Sequence, residues 1–179
     1  MKKRIIALGL LWCLSAVMLQ AARVDTVLVR SAAMNKDVKV VYVLPDKAIG
    51  KQACPVVYLL HGYGGYARSW VQLKPELPQM ADEKGIIFVC PDGKNSWYWD
   101  SPENPAYRYE TFVTSELVKY TDGNYAAIPD RKARAISGLS IGGHGALWSA
   151  IRHKDVFGAA GSMSGGVDIR PFPQNRDMD

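Results

Sequence analysis

Three cysteines and three histidines are all that 179 residues contain. Cys13 lies in an apolar stretch and follows Trp12, too bulky a neighbour for a lipoprotein site. Cys54 opens the apolar run 56–60 and Cys90 closes the run 86–90. In neighbouring parallel strands they would stand at opposite ends, roughly 15 to 20 Å apart at ~3.3 Å per residue, which excludes a disulfide and predicts two buried thiols. The chain also lacks internal repeats, low-complexity linkers and basic runs. Its formal charge of +5 shrinks when Lys2, Lys3 and Arg4 are set aside, leaving 19 of 22 cations against 17 acids and a net of about +2. Nothing then resembles a nucleic-acid footprint, and that class of partner is excluded.

At this length, with 48% hydrophobic residues, one core is expected and a second domain has no room. Lys2-Lys3-Arg4, the apolar stretch 5–19 and the small pair Ala21-Ala22 form the three-part layout of a secretory signal peptide. Residues 1–22 are therefore read as a leader and 23–179 as the folded part, secreted or periplasmic and with no membrane contact after cleavage. Leu19 and Gln20 sit where a small residue is usual before the cut, so an uncleaved anchor is the alternative.

Residues 25–30 and 38–44 alternate apolar and polar positions and predict an antiparallel pair at one edge. The runs 56–60 and 86–90 do not alternate and suit strands covered on both faces. Between them Trp70, Leu73, Leu77, Met80 and Ala81 keep helical spacing, with Pro75 and Pro78 expected to shorten or kink the helix. A helix over 109–120, a strand over 132–137, a helix over 141–154 and a short strand over 157–163 follow. Alternating strands and helices imply an α/β fold: a mostly parallel sheet with helices on both faces.

Gly138-Leu139-Ser140-Ile141-Gly142 stands between the strand 132–137 and the next helix. A serine with glycine two residues away on either side suits a sharp strand-to-helix turn that exposes its hydroxyl, making Ser140 the candidate nucleophile. An acyl transition state also needs fixed N–H donors. The Ile141 amide, at the positive end of its helix, is the first, and Tyr63 in His61-Gly62-Tyr63-Gly64-Gly65 the second, with Gly64 as the fallback. His61 reads as a brace for that loop rather than a group acting on substrate. His144 follows the serine on a face its hydroxyl does not share, and His153 reads as a solvated helix cap. Trp97, Tyr98 and Trp99 occupy the loop after run 86–90, at the serine's edge of the sheet. They are candidates for stacking on sugar or phenolic groups, or else a hydrophobic plug.

Three stretches, 56–65, 91–100 and 138–147, resemble in order the α/β-hydrolase esterase group that includes tributyrin esterases, feruloyl and acetyl-xylan esterases, S-formylglutathione hydrolases and mycolyltransferases. The resemblance implies Ser140 as nucleophile and Tyr63 and Ile141 as the oxyanion hole. It also implies that the early histidine of Ser140-Ile141-Gly142-Gly143-His144 is not the catalytic one. In that group an aspartate and a histidine follow from the last two strands. Here only His144 and His153 follow the serine, and Asp168 reads as a surface residue sooner than a displaced acid. The expectation is a partial domain with its last strands missing, inactive by itself. An export signal disfavours the cytosolic S-formylglutathione hydrolases.

The full-length protein is thus expected to be an exported serine esterase acting on acylated carbohydrate or short-chain acyl esters, as small molecules or polysaccharide, with no metal or organic cofactor. The alternatives are an acyltransferase to a sugar hydroxyl and a non-catalytic carbohydrate-binding or adhesion module.

Overall fold

The computed structural model describes residues 22–168; residues 1–21, which hold Cys13 and all but the last residue of the predicted leader, and residues 169–179, with Asp177 and Asp179, lie outside them. Strands β1 (Arg23–Ser31), β2 (Lys36–Leu44), β3 (Val56–Leu60), β4 (Ile87–Pro91), β5 (Arg134–Leu139) and β6 (Ala159–Met163) form one sheet in the order β1-β2-β4-β3-β5-β6. β2 pairs antiparallel with both β1 and β4, and β4, β3, β5 and β6 run parallel. The register Val56↔Ile87 puts Cys54 and Cys90 at opposite ends of the β3–β4 pair, and both are free and buried. Burial pushes the Cys54 thiol up, and that of Cys90 to about 12.

Among the described residues six α-helices flank the sheet: α1 (Asp46–Ile49), α2 (Ser69–Leu73), α3 (Leu77–Lys84), α4 (Tyr109–Thr111), α5 (Leu117–Asn124) and α6 (Ile141–Arg152). Successive strand residues point to opposite faces. Val41, Val43, Leu59 and Phe88 therefore meet Trp70, Leu77 and Ala81 of α2 and α3 on one face. Val40, Tyr42, Leu60 and Ile136 meet Phe112, Leu117, Ile141 and Ala146 on the other. Each such aliphatic or aromatic side chain contributes about 1.5–3 kcal/mol by leaving water.

The helix expected around 70–84 is two helices. Pro75 brings no N–H and forces Lys74 out of the helical region, to φ −129° and ψ 80°. The break turns Leu73 outward, 63% exposed, although its spacing had placed it with the core residues. The helix whose periodicity covers 109–120, with Asp122-Gly123-Asn124 expected as its stop, ends at Asn124, with α4 and α5 joined by one π-helical turn at Phe112–Glu116. There the Thr114 hydroxyl donates to the Glu110 carbonyl at 2.8 Å.

The two sheet edges differ. Both edge strands are paired along their full length, but β1 buries Val29 and Ser31 whereas every residue of β6 is exposed or half-exposed. No helix among the described residues is long and apolar enough to cross a membrane.

Candidate active site

The parallel strands β3, β4 and β5 end at one edge, and three loops meet there: 61–65, 91–100 and the bend at Ser140. The bend is enforced by close approach. A Cβ on Gly138 would overlap the Gly142 carbonyl; one on Gly142 would overlap the Leu60 carbonyl and lie 2.6 Å from that of His61. Only glycine lets α6 start this close to β3 and β5. Between them Ser140 takes φ 55° and ψ −118°, a conformation disfavoured for any residue with a side chain. Its amide donates to the Met163 carbonyl of β6 at 2.9 Å, and its carbonyl accepts the His144 amide at 3.0 Å. The side chain is half-buried rather than entombed.

The loop 61–65 lies against the serine: a Cβ on Gly62 would be 3.6 Å from that of Ser140. The Gly62 carbonyl accepts from the Gly65 amide at 3.0 Å and faces His61 Nδ1 at 2.8 Å. Because the Gly93 amide donates to His61 Nε2 at 2.9 Å, the ring proton sits on Nδ1 and points at Gly62. A carbonyl held twice on one side directs the N–H of the same planar peptide, that of Tyr63, the other way. Neither the Tyr63 nor the Ile141 amide has a protein acceptor among the described residues. The Gly64 amide, by contrast, is taken by Asn95 Oδ1 at 2.8 Å. An open groove of about 400 Å³, walled by Gly62, Tyr63, Gln72, Leu73 and Leu139, runs beside the bend.

All three histidines are committed. His61 is 2% exposed and bonded at both nitrogens. His144 accepts the Trp99 indole N–H on Nε2 at 2.7 Å and faces the Gly166 carbonyl with Nδ1 at 2.7 Å. Burial lowers its pKa, against the opposing pull of that carbonyl. His153 is not the solvated cap expected: its Nε2 lies 2.8 Å from Glu110 Oε1, where Arg152 and the Trp148 indole also donate to the buried carboxylate. Glu110 carried no signal in the sequence, since its partners lie some forty residues away.

The aromatic trio divides. Trp97 and Trp99 are half-exposed over the first turns of α6, their ring centroids 5.4 and 5.0 Å from that of His144. Tyr98 is fully buried and cannot stack on a ligand, which corrects its place among the substrate-binding candidates. Left-handed backbone at both Trp97 and Tyr98, φ 56° and 61°, turns its ring inward. There its hydroxyl accepts the His61 amide at 2.9 Å and donates to the His61 carbonyl at 3.3 Å. Asn95, which fixes Gly64 from 31 residues away, carries no signal of its own in the sequence.

The Esterase family model, described as "Putative esterase", matches residues 31–176. The chain belongs to this family. Within it, the chain is 27% identical over 135 residues to an acetyl esterase of Caldicellulosiruptor saccharolyticus, covering 71% of this chain and 50% of that one. It is 32% identical over 159 residues to the diacylglycerol acyltransferase/mycolyltransferase Ag85A of Mycobacterium gordonae, covering 81% and 43%. A solved ferulic acid esterase superposes with a TM-score of 0.71 at 31% identity, covering 82% of this chain and 59% of its own. The fold is that of the α/β-hydrolase esterases, as the three motifs implied. The chain spans about half the length of the curated relatives it matches.

Proposed function

We propose that the protein is an exported serine carboxylic-ester hydrolase that works through an acyl-enzyme on Ser140. The observation that carries this is the strained bend, which leaves Ser140 half-buried near the amides of Tyr63 and Ile141, neither of which has an acceptor among the described residues. The Ser140 oxygen attacks the ester carbonyl, whose oxygen takes up negative charge against those two N–H groups, and the alcohol leaves. Water then attacks the acyl-serine and frees the acid. Preset donors contribute in the transition state without having to reorganise.

The groove beside Tyr63 and Leu73 receives one arm of the ester, and Trp97 and Trp99 receive sugar or phenolic groups on the other. Acylated carbohydrate fits this wide, aromatic-edged opening. With all three histidines engaged elsewhere, the base is none of them, and the 179-residue chain alone turns over slowly. Export rests on the predicted leader.

A second reading, acyl transfer to a sugar hydroxyl in place of water, is favoured by the Ag85A relative. Both readings share the acyl-serine, so the test targets it. Incubation with an activated acetate ester and peptide mass spectrometry should find one acetyl group on Ser140, absent in Ser140→Ala. Equal labelling of the variant, or labelling only elsewhere, would refute the role. Adding a sugar acceptor then separates hydrolysis from transfer by the product formed.

A further inference from the structure

A cavity of about 240 Å³ opens at the same sheet edge, between the start of β2 and the turn after β4, walled by Leu28, Lys36, Lys39, Asp92, Lys94 and Tyr109. We propose that it is a binding site for a small polyhydroxy carboxylate, a sugar acid, with Lys36 and the Tyr109 hydroxyl reading the carboxylate.

The charges around the cavity do not balance. Lys94 is neutralised by Asp92 at 2.8 Å, and Asp37 at the rim pairs with Arg30 at 3.4 Å. Lys36 has no carboxylate partner among the described residues. Its ammonium donates to the Ala106 carbonyl and sits 5.0 and 4.8 Å from the ring centroids of Tyr107 and Tyr109. Burial lowers its pKa, the nearby Lys94 charge adds to the effect, and the Asp92 carboxylate opposes it in part. A cation so placed gains from an anion that shares its enclosure.

Tyr109 supplies a second donor. Its side chain lines the cavity, and its hydroxyl has no protein hydrogen-bond partner among the described residues, which leaves it available to a ligand there. One ammonium and one phenolic donor match one carboxylate. Buried Asp92 in the same wall accepts hydroxyl groups and repels a second negative charge, so a polyhydroxy monocarboxylate suits the lining better than phosphate does. The cavity is smaller than the ~300–1,000 Å³ of drug-sized sites and matches a single small ring. With strands ~4.8 Å apart it lies on the order of 12 Å from the bend, close enough for one extended ligand to engage both.

The site stands apart from any role of Ser140, and binding tests it directly. Calorimetric titration of the 179-residue protein with glucuronate should give saturable one-to-one binding. Glucose and inorganic phosphate should bind at least about tenfold more weakly, given what one hydrogen bond to a charged group contributes. Lys36→Met, which keeps the stem over the rings, should weaken glucuronate about tenfold or more. Tyr109→Phe, which removes only the oxygen, should weaken it several-fold with an unchanged amide spectrum, and Ser140→Ala should bind as the parent does. No binding, equal binding of phosphate or glucose, or an unchanged Kd in both Lys36→Met and Tyr109→Phe would overturn the proposal.

Discussion

Two loops at one edge of the sheet hold unusual backbone by different means. The bend at Ser140 is held by sterics: glycines at 138 and 142 let strand and helix approach within a distance no side chain tolerates. The loop 91–100 is held by polar groups: Asp92 on Lys94, His61 on Gly93, Asn95 on Gly64 and the Tyr98 hydroxyl on both backbone groups of His61. A sterically enforced turn fails when an atom is added, and a polar one when an atom is removed. The two loops are linked, because the Gly93 amide of the second fixes the tautomer of His61, whose Nδ1 holds the Gly62 carbonyl in the loop beside the first.

The largest effect should come from one added carbon at the bend. In Gly142→Ala the new methyl meets the Leu60 and His61 carbonyls, which are fixed in or beside β3, so neither side can give way cheaply. Urea denaturation should show a loss of about 3 kcal/mol or more, at the upper end of overpacking costs. Next comes one removed oxygen in the polar loop. Tyr98→Phe leaves the ring in place between Gly93 and Gly145 but strands the buried His61 amide, at a cost of about 1–3 kcal/mol. If Tyr98→Phe proved as damaging as Gly142→Ala, the division between the two loops would fail.

The same division explains what could be read in the sequence. Ser140 and its glycines stood out because only one residue type satisfies a close approach, and β3 and β4 were plain because unbroken apolar runs need two covered faces. The fate of Tyr98 was hidden. Which of three adjacent rings turns inward depends on left-handed backbone at Trp97 and Tyr98, and neither is a glycine that would announce it. His153 looked like an exposed cap because its partner, Glu110, reaches it only through tertiary packing. Leu73 kept helical spacing with the core and still faces water, since Pro75 ended its helix first.

Acid should separate the two loops again. Burial raises the pKa of Asp92, but the backbone and side-chain hydrogen bonds from Lys94 and its charge outweigh it and hold the carboxyl well below the ordinary value of 3.8. A depressed folded pKa means stability that is present above 3.8 and lost as pH falls through the folded value. The stability difference between the parent and Asp92→Asn, followed by denaturant titration, should be constant near neutrality and shrink below pH 3.8. A difference that persists undiminished in strong acid would show that the charge of Asp92 plays no part in holding the loop.

The smallest effect belongs to Ser140 itself. A residue with a side chain held at φ 55° and ψ −118° carries strain of about 1–3 kcal/mol. Ser140→Ala keeps the Cβ and therefore the strain, while Ser140→Gly releases it and gives back about 0.4–1 kcal/mol through the greater freedom of glycine in the unfolded chain. The glycine variant should therefore be the more stable of the two by about 1 kcal/mol, read as a shift in denaturation midpoint. Strain retained at the candidate nucleophile is stability given up at that one position for the sake of the bend. If the two variants unfolded together, the bend would be at rest, and its geometry would lose its force as a sign of function.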